Sequence, residues 1–238
     1  AVYPGNNIKD HLKPFTEGAF KLDGPTKKAA AVMPYYTISS GQGEKVANAY
    51  NKYLITDLLR ETYGYNGVVC TDWGITRDIT SVYKFEGKPY GVENLTEGER
   101  HYKAIQAGMD QFGGNNNIKP VLEAYQLGVN EIGEAKMRAR FEKSAVRLLT
   151  NIFRTGLFEN PYLDVAKTTQ IVGKSEFMDA GFQAQLRSIV MLKNTNQSLP
   201  IKTKQKVYIP KRYIIKSTNW RGMSIKEKTV DPFNKAIV

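Results

Sequence analysis

The sequence predicts an α/β fold for the stretch between residues 29 and 157. Short apolar runs alternate there with longer amphipathic stretches, a pattern typical of strands connected by helices. One of the runs is rich in β-branched residues, as buried parallel strands are. Helical stretches stop at glycine, the residue that most readily adopts the left-handed backbone at a helix end. Together these observations favour parallel strands covered by helices.

The first two strands and the helix between them follow from apolar spacing. The run "AAAVM" at residues 29–33 predicts a strand that ends at Pro34. The next stretch stops at Gly64 and carries four apolar residues at intervals of four: Val46, Tyr50, Leu54 and Leu58. That spacing predicts one helix with a single buried face. The run at residues 68–71 then predicts the second strand.

The remaining elements of this part continue the alternation. We predict a helix over residues 97–107 that stops at Gly108, and a short third strand, "MDQF", at residues 109–112. Pro120 suits the first turn of another helix and Gly128 its end. A last, long helix is predicted by the apolar stripe Met137, Phe141, Ala145, Leu148 and Ile152.

The alternation breaks near residue 160, which indicates a boundary. We predict three parts: a first domain at residues 1–163, a linker at residues 164–174, and the beginning of a second domain at residues 175–238. In the last part, residues 176–193 predict an amphipathic helix and "KVYIP" at residues 206–210 a first strand. The opening "AVYPG" has neither an initiating Met nor a leader-like segment, so we expect the chain to begin within a longer protein.

Several classes of site lack support in the sequence. The two histidines, His11 and His101, are far apart and no Cys/His cluster exists, so we expect no metal site. The single cysteine, Cys70, stands in an apolar run and is predicted to be a buried structural thiol. The pair Gly41 and Gly43 lacks the rest of a phosphate-binding pattern. Apolar runs fall far short of the roughly 20 residues that a membrane span requires, so no membrane partner is expected.

The formal net charge of +11 raises the question of nucleic acid. Lysines and arginines between residues 202 and 228 interleave with Tyr208, Tyr213 and Trp220. This segment carries no RNA- or DNA-binding signature, so the composition favours solvated basic surface, and we expect no nucleic-acid partner.

Asp72 and Trp73 are the candidate functional residues. They follow the predicted strand at residues 68–71, and α/β folds place their chemistry at the carboxyl ends of parallel strands. A carboxylate beside a large aromatic is typical of sugar sites, because an apolar sugar face packs on indole while the carboxylate acts at the anomeric carbon. An aspartate at a strand end also serves as a helix N-cap or loop acceptor, so these residues alone leave both roles open.

A set of longer segments adds to this interpretation. Five of them occur in a characteristic order and spacing: "AAAVMPYY", "LLRETYGYNGVVCTDWG", "AIQAGMDQFGG", "RTGLFENPY" and "RSIVMLKNTNQSLPI". Their order resembles that of glycoside hydrolase family 3, the β-glucosidase and β-xylosidase family. The most specific is the segment around Asp72, although the family usually has Phe-Asp where Tyr65 and Asn66 stand here. The resemblance covers nearly the whole chain.

The resemblance implies the C-terminal part of a (β/α)8-like barrel, three βα units, followed by the start of an α/β sandwich domain. It also implies a retaining, exo-acting β-glycosidase without a cofactor, acting on a β-glycoside or oligosaccharide. Asp72 is then the nucleophile that forms a covalent glycosyl-enzyme. Tyr36 is expected to donate a hydrogen bond that positions the carboxylate, and Trp73 to line the subsite for the non-reducing sugar.

Two departures limit what the resemblance implies. The family's last barrel strand usually ends in an acidic, methionine-rich segment, whereas residues 110–114 here read "DQFGG", which leaves substrate choice open. The family's Glu acid/base and its other substrate-binding residues correspond to regions outside this chain. We therefore expect the remaining barrel and second-domain segments to come from the parent polypeptide or another chain. A non-catalytic carbohydrate-binding or scaffolding subunit stays open as the alternative, and the resemblance suggests a secreted or periplasmic protein.

Overall fold

The computed structural model describes residues 1–78, 88–204, 206, 208, 210–218 and 223–231. The chain divides into two compact units, Ala1–Pro161 and Tyr162–Val238. The first unit contains, in order, a 3-10 helix at Pro4–Asn6, α1 at Ile8–Lys13, a π-helix at Pro14–Ala19, β1 at Ala31–Val32, a 3-10 helix at Asn48–Tyr50, a π-helix at Tyr53–Thr62, β2 at Val68–Val69, α2 at Glu97–Ala107, α3 at Lys119–Ile132 and α4 at Glu134–Arg154.

The three predicted strands lie side by side. β1 and β2 pair in parallel, with Ala31 opposite Val68 and Val32 opposite Val69. On the other side of β2, a parallel bridge joins Cys70 to Gln111, and the amide of Thr71 donates to the carbonyl oxygen of Gln111 at 2.9 Å. Each strand is shorter than predicted, and the third is only this bridge. Their carboxyl ends nevertheless meet at one edge.

Helix α2 forms where the sequence predicts it, at Glu97–Ala107. Its first turn is fixed by a capping box, in which the Thr96 hydroxyl accepts from the amide of Glu99 while the Glu99 carboxylate accepts from the amide of Thr96. Its end is fixed by Gly108, whose φ of 113° places it in the left-handed region. Both capping residues, Thr96 and Gly108, are adjacent to the helix in the chain.

The single helix predicted through Val46, Tyr50, Leu54 and Leu58 is wrong. The chain forms the 3-10 helix Asn48–Tyr50, breaks, and restarts as the π-helix Tyr53–Thr62. Asn51 causes the break: its amide donates to the carbonyl oxygens of Gln42 and Glu44, and its Oδ1 accepts from the amide of Leu54. An asparagine side chain that bonds nearby backbone competes with a continuous helix.

The predicted helix end at Gly128 is also wrong, because α3 continues to Ile132 and ends at Gly133. Gly128 is buried in the helix and packs against Met137 of α4. A Cβ at position 128 would lie 2.3 Å from the Met137 sulfur. This glycine therefore permits close helix packing and does not terminate the helix.

Two groups of buried side chains form the core of the first unit. One lies around the strands and the segment at residues 46–55, and includes Tyr36, Tyr50, Tyr65, Val69 and Met109. The other joins α2, α3 and α4 through Tyr102, Ile105, Ala124 and Met137. The predicted stripe on α4 is buried mainly at Met137, whereas Ile152 is exposed.

The second unit contains α5 at Val165–Ile171, α6 at Ser175–Ser188, and four short strands, β3 at Arg212–Ile214, β4 at Ser217–Thr218, β5 at Ser224–Ile225 and β6 at Lys228–Val230. Residues 164–174, predicted as a linker, thus contain a helix, capped by the Asp164 carboxylate on the amide of Lys167. β3 pairs antiparallel with β6, and β4 with β5.

Two expectations concern residues that the structure does not describe. Val207 and Ile209 of the strand predicted at residues 206–210, and Trp220 of the basic segment, lie outside the described residues. Within the described ranges, none of the helices combines the length and apolar composition that crossing a membrane requires.

Candidate active site

Asp72 lies at the carboxyl end of the second strand, after the bridge at Cys70. Its side chain is packed into the protein, and the residue is 8% exposed. The Oδ1 atom accepts a hydrogen bond of 2.7 Å from the amide of Trp73, the next residue. The carboxylate is therefore oriented by backbone at the edge where the three strands end.

Tyr36 reaches the same place from the end of β1. It is buried, and its hydroxyl group donates a hydrogen bond of 2.6 Å to the backbone carbonyl oxygen of Trp73. Burial raises the pKa of Tyr36, and hydrogen bonding with Asp72 and the charge of that carboxylate raise it further. The hydroxyl therefore stays protonated and faces two acceptors, the Trp73 carbonyl and the Asp72 carboxylate.

Trp73 is 56% exposed, which is unusual for so large an apolar side chain. Its indole lies against the backbone of Gly113 and Gly114, which follow the third strand. A Cβ on Gly113 would lie 2.8 Å from Cε3 of the indole, and one on Gly114 would lie 2.5 Å from Cδ1. Any larger residue at either position would displace the ring, so the glycine pair forms a seat for Trp73.

Hydrogen bonds hold that seat to the strand of Asp72. The amide of Gly113 donates to the Thr71 hydroxyl at 2.9 Å, and the amide of Gly74 donates to the carbonyl oxygen of Gly113 at 3.0 Å. The Arg77 guanidinium donates to the carbonyl oxygen of Gly114 at 2.7 Å. These hydrogen bonds fix the backbone on both sides of Asp72 and Trp73.

Two further side chains lie near this edge. The Lys88 ammonium group lies 5.6 Å from the centre of the Tyr36 ring. Cys70 is half-buried, and burial, followed by the nearby charge of Asp72, raises the pKa of its thiol. A raised pKa keeps the sulfur protonated, so Cys70 is a poor nucleophile.

The sequence interpretation missed Asp110, in the third strand. Its side chain is fully buried, and its carboxylate accepts from Arg60 at 2.6 Å, Arg147 at 3.0 Å, Ser144 at 2.6 Å and the amide of Val69 at 3.0 Å. Burial alone would raise the pKa of Asp110, but the hydrogen bond from Ser144 and the arginine charges outweigh it and hold the pKa below its ordinary value. The sequence did contain a signal for this cluster: Asp110 stands within an apolar strand, and a buried carboxylate requires a charged or hydrogen-bonding partner.

This buried ion cluster fixes the strand that precedes the glycine pair. Arg60 comes from the π-helix, Arg147 and Ser144 come from α4, and Val69 lies in β2. One carboxylate thus ties three elements to the third strand. Its role in this unit is structural, because its hydrogen-bonding capacity is used within the protein.

Both histidines have contacts within the protein. His101 is fully buried with both ring nitrogens hydrogen-bonded, to the carbonyl oxygen of Glu97 and to the amide of Asn115. His11 packs edge-on against Tyr3. Across the part of the chain that the structure describes, no group of three or more His, Cys, Asp or Glu side chains is arranged to hold a metal ion.

Comparison with known proteins gives consistent matches. The family model described as "Glycosyl hydrolase family 3 N terminal domain" matches residues 9–151. A periplasmic β-glucosidase/β-xylosidase of Dickeya chrysanthemi is 38% identical over 225 residues, which cover 88% of this chain and 32% of that protein. A probable β-glucosidase C of Aspergillus oryzae is 38% identical over 208 residues, covering 86% of this chain and 31% of that protein.

A solved structure gives the same result for the fold. A β-glucosidase involved in saponin metabolism from intestinal bacteria is 27% identical and superposes with a TM-score of 0.55, covering 80% of this chain and 22% of its own. The chain thus spans about a third of the length of the curated relatives that it matches, 32% and 31% for the two described.

Proposed function

The chain belongs to glycosyl hydrolase family 3, and from that premise we propose that it is the nucleophile-bearing part of a retaining, exo-acting β-glycosidase. The observation that carries the proposal is the arrangement at the strand edge. The Asp72 carboxylate is oriented by the Trp73 amide, the Tyr36 hydroxyl lies beside it, and the Trp73 indole is exposed next to it. Attack at a sugar's anomeric carbon needs a carboxylate nucleophile, and an exposed aromatic ring can pack against the apolar face of the sugar.

In the proposed reaction, a carboxylate oxygen of Asp72 forms a bond to the anomeric carbon while the bond from that carbon to the leaving oxygen breaks. The leaving oxygen takes a proton from an acid outside this chain. Water then attacks the same carbon and gives a proton to the group that protonated the leaving oxygen, while the bond from the carbon to Asp72 breaks, so the sugar is released and both groups are restored. Tyr36 keeps the carboxylate aimed during both steps, and Trp73 packs against the apolar face of the terminal sugar.

The proposed fold is the C-terminal part of a (β/α)8-like barrel at residues 1–163, a connection at residues 164–174, and the start of an α/β sandwich domain at residues 175–238. The parallel order of the three strands supports the barrel part. Within the described residues, β1 has a strand partner on one side only, and unpaired strand edges are normally covered. We propose that the remaining segments come from the same polypeptide or from another chain.

The substrate class follows from the relatives. Two relatives, each 38% identical to this chain over the aligned residues, are described as a periplasmic β-glucosidase/β-xylosidase and a probable β-glucosidase C. We therefore propose a terminal β-linked glucose or xylose as the group released. One relative is described as periplasmic, which supports a secreted or periplasmic location for this protein.

The experiment uses the complete enzyme, meaning this chain together with the segments that complete the barrel and supply the acid. Purified enzyme is assayed on aryl β-glucoside and aryl β-xyloside, with the variant Asp72→Asn and the matched control Asp57→Asn. We expect turnover of at least one substrate, loss of nearly all of it in Asp72→Asn, and none from residues 1–238 alone. Binding of sugars without turnover would favour the non-catalytic carbohydrate-binding alternative and overturn the proposal.

A further inference from the structure

A buried histidine contacts the loop that seats Trp73. The Nδ1 atom of His101, on α2, lies 2.8 Å from the carbonyl oxygen of Glu97, and its Nε2 atom lies 2.8 Å from the side-chain nitrogen of Asn115. A carbonyl oxygen can only accept, so Nδ1 carries the proton. In the neutral ring, Nε2 is then the acceptor and the Asn115 amide is the donor.

The side-chain amide of Asn115 is not free to rotate by half a turn and swap the positions of its oxygen and nitrogen. Its Oδ1 already accepts a hydrogen bond of 2.9 Å from the backbone amide of Asn117. Turning the amide over would break that bond and place the oxygen against Nε2. The arrangement therefore requires an unprotonated Nε2. If Nε2 were protonated, its N–H group would point at the N–H group of the Asn115 side chain, and no hydrogen bond would form.

His101 contacts the loop on both sides of the glycine pair. Its ring packs on Phe112, with ring centres 4.2 Å apart, and Phe112 directly precedes Gly113. Its Nε2 binds Asn115, which directly follows Gly114. The imidazole is fully buried and stands on a capped helix, so it is a rigid support for this short loop.

We infer that His101 is a positioning residue for the sugar platform: through Asn115 and Phe112 it fixes Gly113 and Gly114, and these fix the indole of Trp73. This inference rests on the proposed function. The backbone of Gly114 lies directly against the indole of Trp73, because a Cβ on Gly114 would lie 2.5 Å from that ring. A shift of the loop therefore moves the platform, and misplacing a binding group by about 1 Å can cost up to about 100-fold in rate.

The charges around His101 are few. Burial lowers the pKa of His101 from its ordinary value of 6.5, against raising effects from the Glu97 carbonyl oxygen and from the Glu123 carboxylate on α3. Asn115 and Phe112 of the loop contact the ring, and neither carries a charge. The neutral ring therefore persists to a lower pH than for an exposed histidine, and the Asn115 bond is lost only as the pH falls through that lowered pKa.

The first test compares neighbours in the asparagine triplet of the complete enzyme. Asn115→Ala removes the bond to His101, together with the bond from the Asn117 amide, and leaves the buried ring in place. Asn116→Ala changes an exposed residue in the same loop. We expect Asn115→Ala to raise KM and the inhibition constants of glucose and xylose about tenfold while kcat changes much less, the pattern of lost ground-state binding. Equal KM values in the two variants would overturn the inference.

The second test uses Asn115→Asp, which replaces the donor by a carboxylate. A carboxylate accepts from protonated His101, so the bond now forms at low pH and weakens as the pH rises. We expect KM of the wild-type protein to rise as the pH falls through the lowered pKa of His101. KM of Asn115→Asp should instead fall as the pH falls, over a higher pH interval, because the new carboxylate raises the pKa of His101. A merely structural asparagine would not invert the profile, and identical profiles would contradict the assignment.

A third measurement separates this inference from the proposed function. Amide hydrogen exchange at residues 113–115 reports the loop without any turnover. Faster exchange at Gly113 in Asn115→Ala than in Asn116→Ala supports the inference, and equal exchange overturns it. Absence of turnover in the wild-type complete enzyme would overturn the proposed function instead, and would leave the exchange result to decide the role of His101.

Discussion

The hydroxyl group of Tyr36 donates a hydrogen bond of 2.6 Å to the carbonyl oxygen of Trp73, a residue 37 positions later in the chain. This bond joins the ends of β1 and β2 directly beside Asp72. The amide of the same Trp73 donates to the Asp72 carboxylate at 2.7 Å. The backbone of Trp73 is thus hydrogen-bonded through its carbonyl to Tyr36 and through its amide to Asp72, and these bonds orient the Asp72 carboxylate.

Removing the Tyr36 hydroxyl should affect chemistry more than folding. In Tyr36→Phe the ring still fills its buried position, so we expect a loss of about 0.5–1.5 kcal/mol, the net value of one hydrogen bond. With the carboxylate less well aimed, kcat of the complete enzyme should fall about tenfold or more while KM changes little. Tyr35→Phe, at the adjacent exposed tyrosine, is the control. Unchanged turnover in Tyr36→Phe would remove this residue from the mechanism.

Truncating Trp73 should impair sugar binding and leave the fold intact. Because more than half of the side chain is exposed, Trp73→Ala should lose less stability than the about 3–5 kcal/mol typical of a buried aromatic. We expect kcat/KM to fall at least about tenfold, equivalent to about 1.4 kcal/mol. Trp73→Phe should recover part of the activity. A variant that is destabilised by the full amount yet normally active would show that Trp73 is structural.

Filling the glycine seat should displace the platform. In Gly113→Ala the new Cβ would lie 2.4 Å from the backbone oxygen of Thr71 and 2.8 Å from the indole, contacts that require movement. We expect about 1–3 kcal/mol of destabilisation and a higher KM. Gly181→Ala, in the middle of α6 with nothing within 4 Å of the new Cβ, should instead stabilise by up to about 1 kcal/mol. Equal unfolding midpoints for the two variants would contradict this account.

Substituting Asp110 should lower the free energy of unfolding more than substituting any other charged residue of the described part of the chain. Asp110→Asn leaves Arg60 and Arg147 without their carboxylate, and breaking a buried pair in this way costs about 3–5 kcal/mol. Asp57→Asn breaks an exposed pair with Lys52 and should cost less than about 1 kcal/mol. Denaturant unfolding followed by Trp73 fluorescence, in a Trp220→Phe background, measures both. Similar losses would show that the buried cluster is not stabilising.

The same cluster predicts a dependence on acid. The folded pKa of Asp110 is lowered, so its contribution is complete above the ordinary value of 3.8 and is lost as the pH falls through the lowered pKa. Between about pH 4 and that lower value, the wild-type chain should therefore lose stability faster than Asp110→Asn. Parallel losses would mean that other groups control acid unfolding.

Local signals in the sequence predicted part of this structure well. The helix predicted over residues 97–107 matches α2, and Gly108 ends it as predicted, because a terminating glycine is a local signal. The apolar runs located the three strands along the chain and placed Asp72 at the end of the second. The roles of Asp72, Tyr36 and Trp73 remain predictions, although the structure brings all three to one strand edge.

The features that sequence missed depend on contacts between distant residues. Asp110 binds arginines 50 positions before it and 37 positions after it, and periodicity carries no record of such pairs. Gly128 resembles a helix end in sequence but serves close packing of α3 on α4. The contacts of His101 with Phe112 and Asn115 likewise join residues that sequence periodicity does not relate.

The most direct test of the central claim is to trap the covalent intermediate. A slow fluorinated β-glycoside is incubated with the complete enzyme, the protein is digested, and the labelled peptide is mapped by mass spectrometry. Fluorine destabilises the oxocarbenium-like transition state and lets the glycosyl-enzyme accumulate. The account predicts a single label on Asp72, absent in Asp72→Asn. A label on any other carboxylate, or rapid turnover by Asp72→Asn, would contradict it.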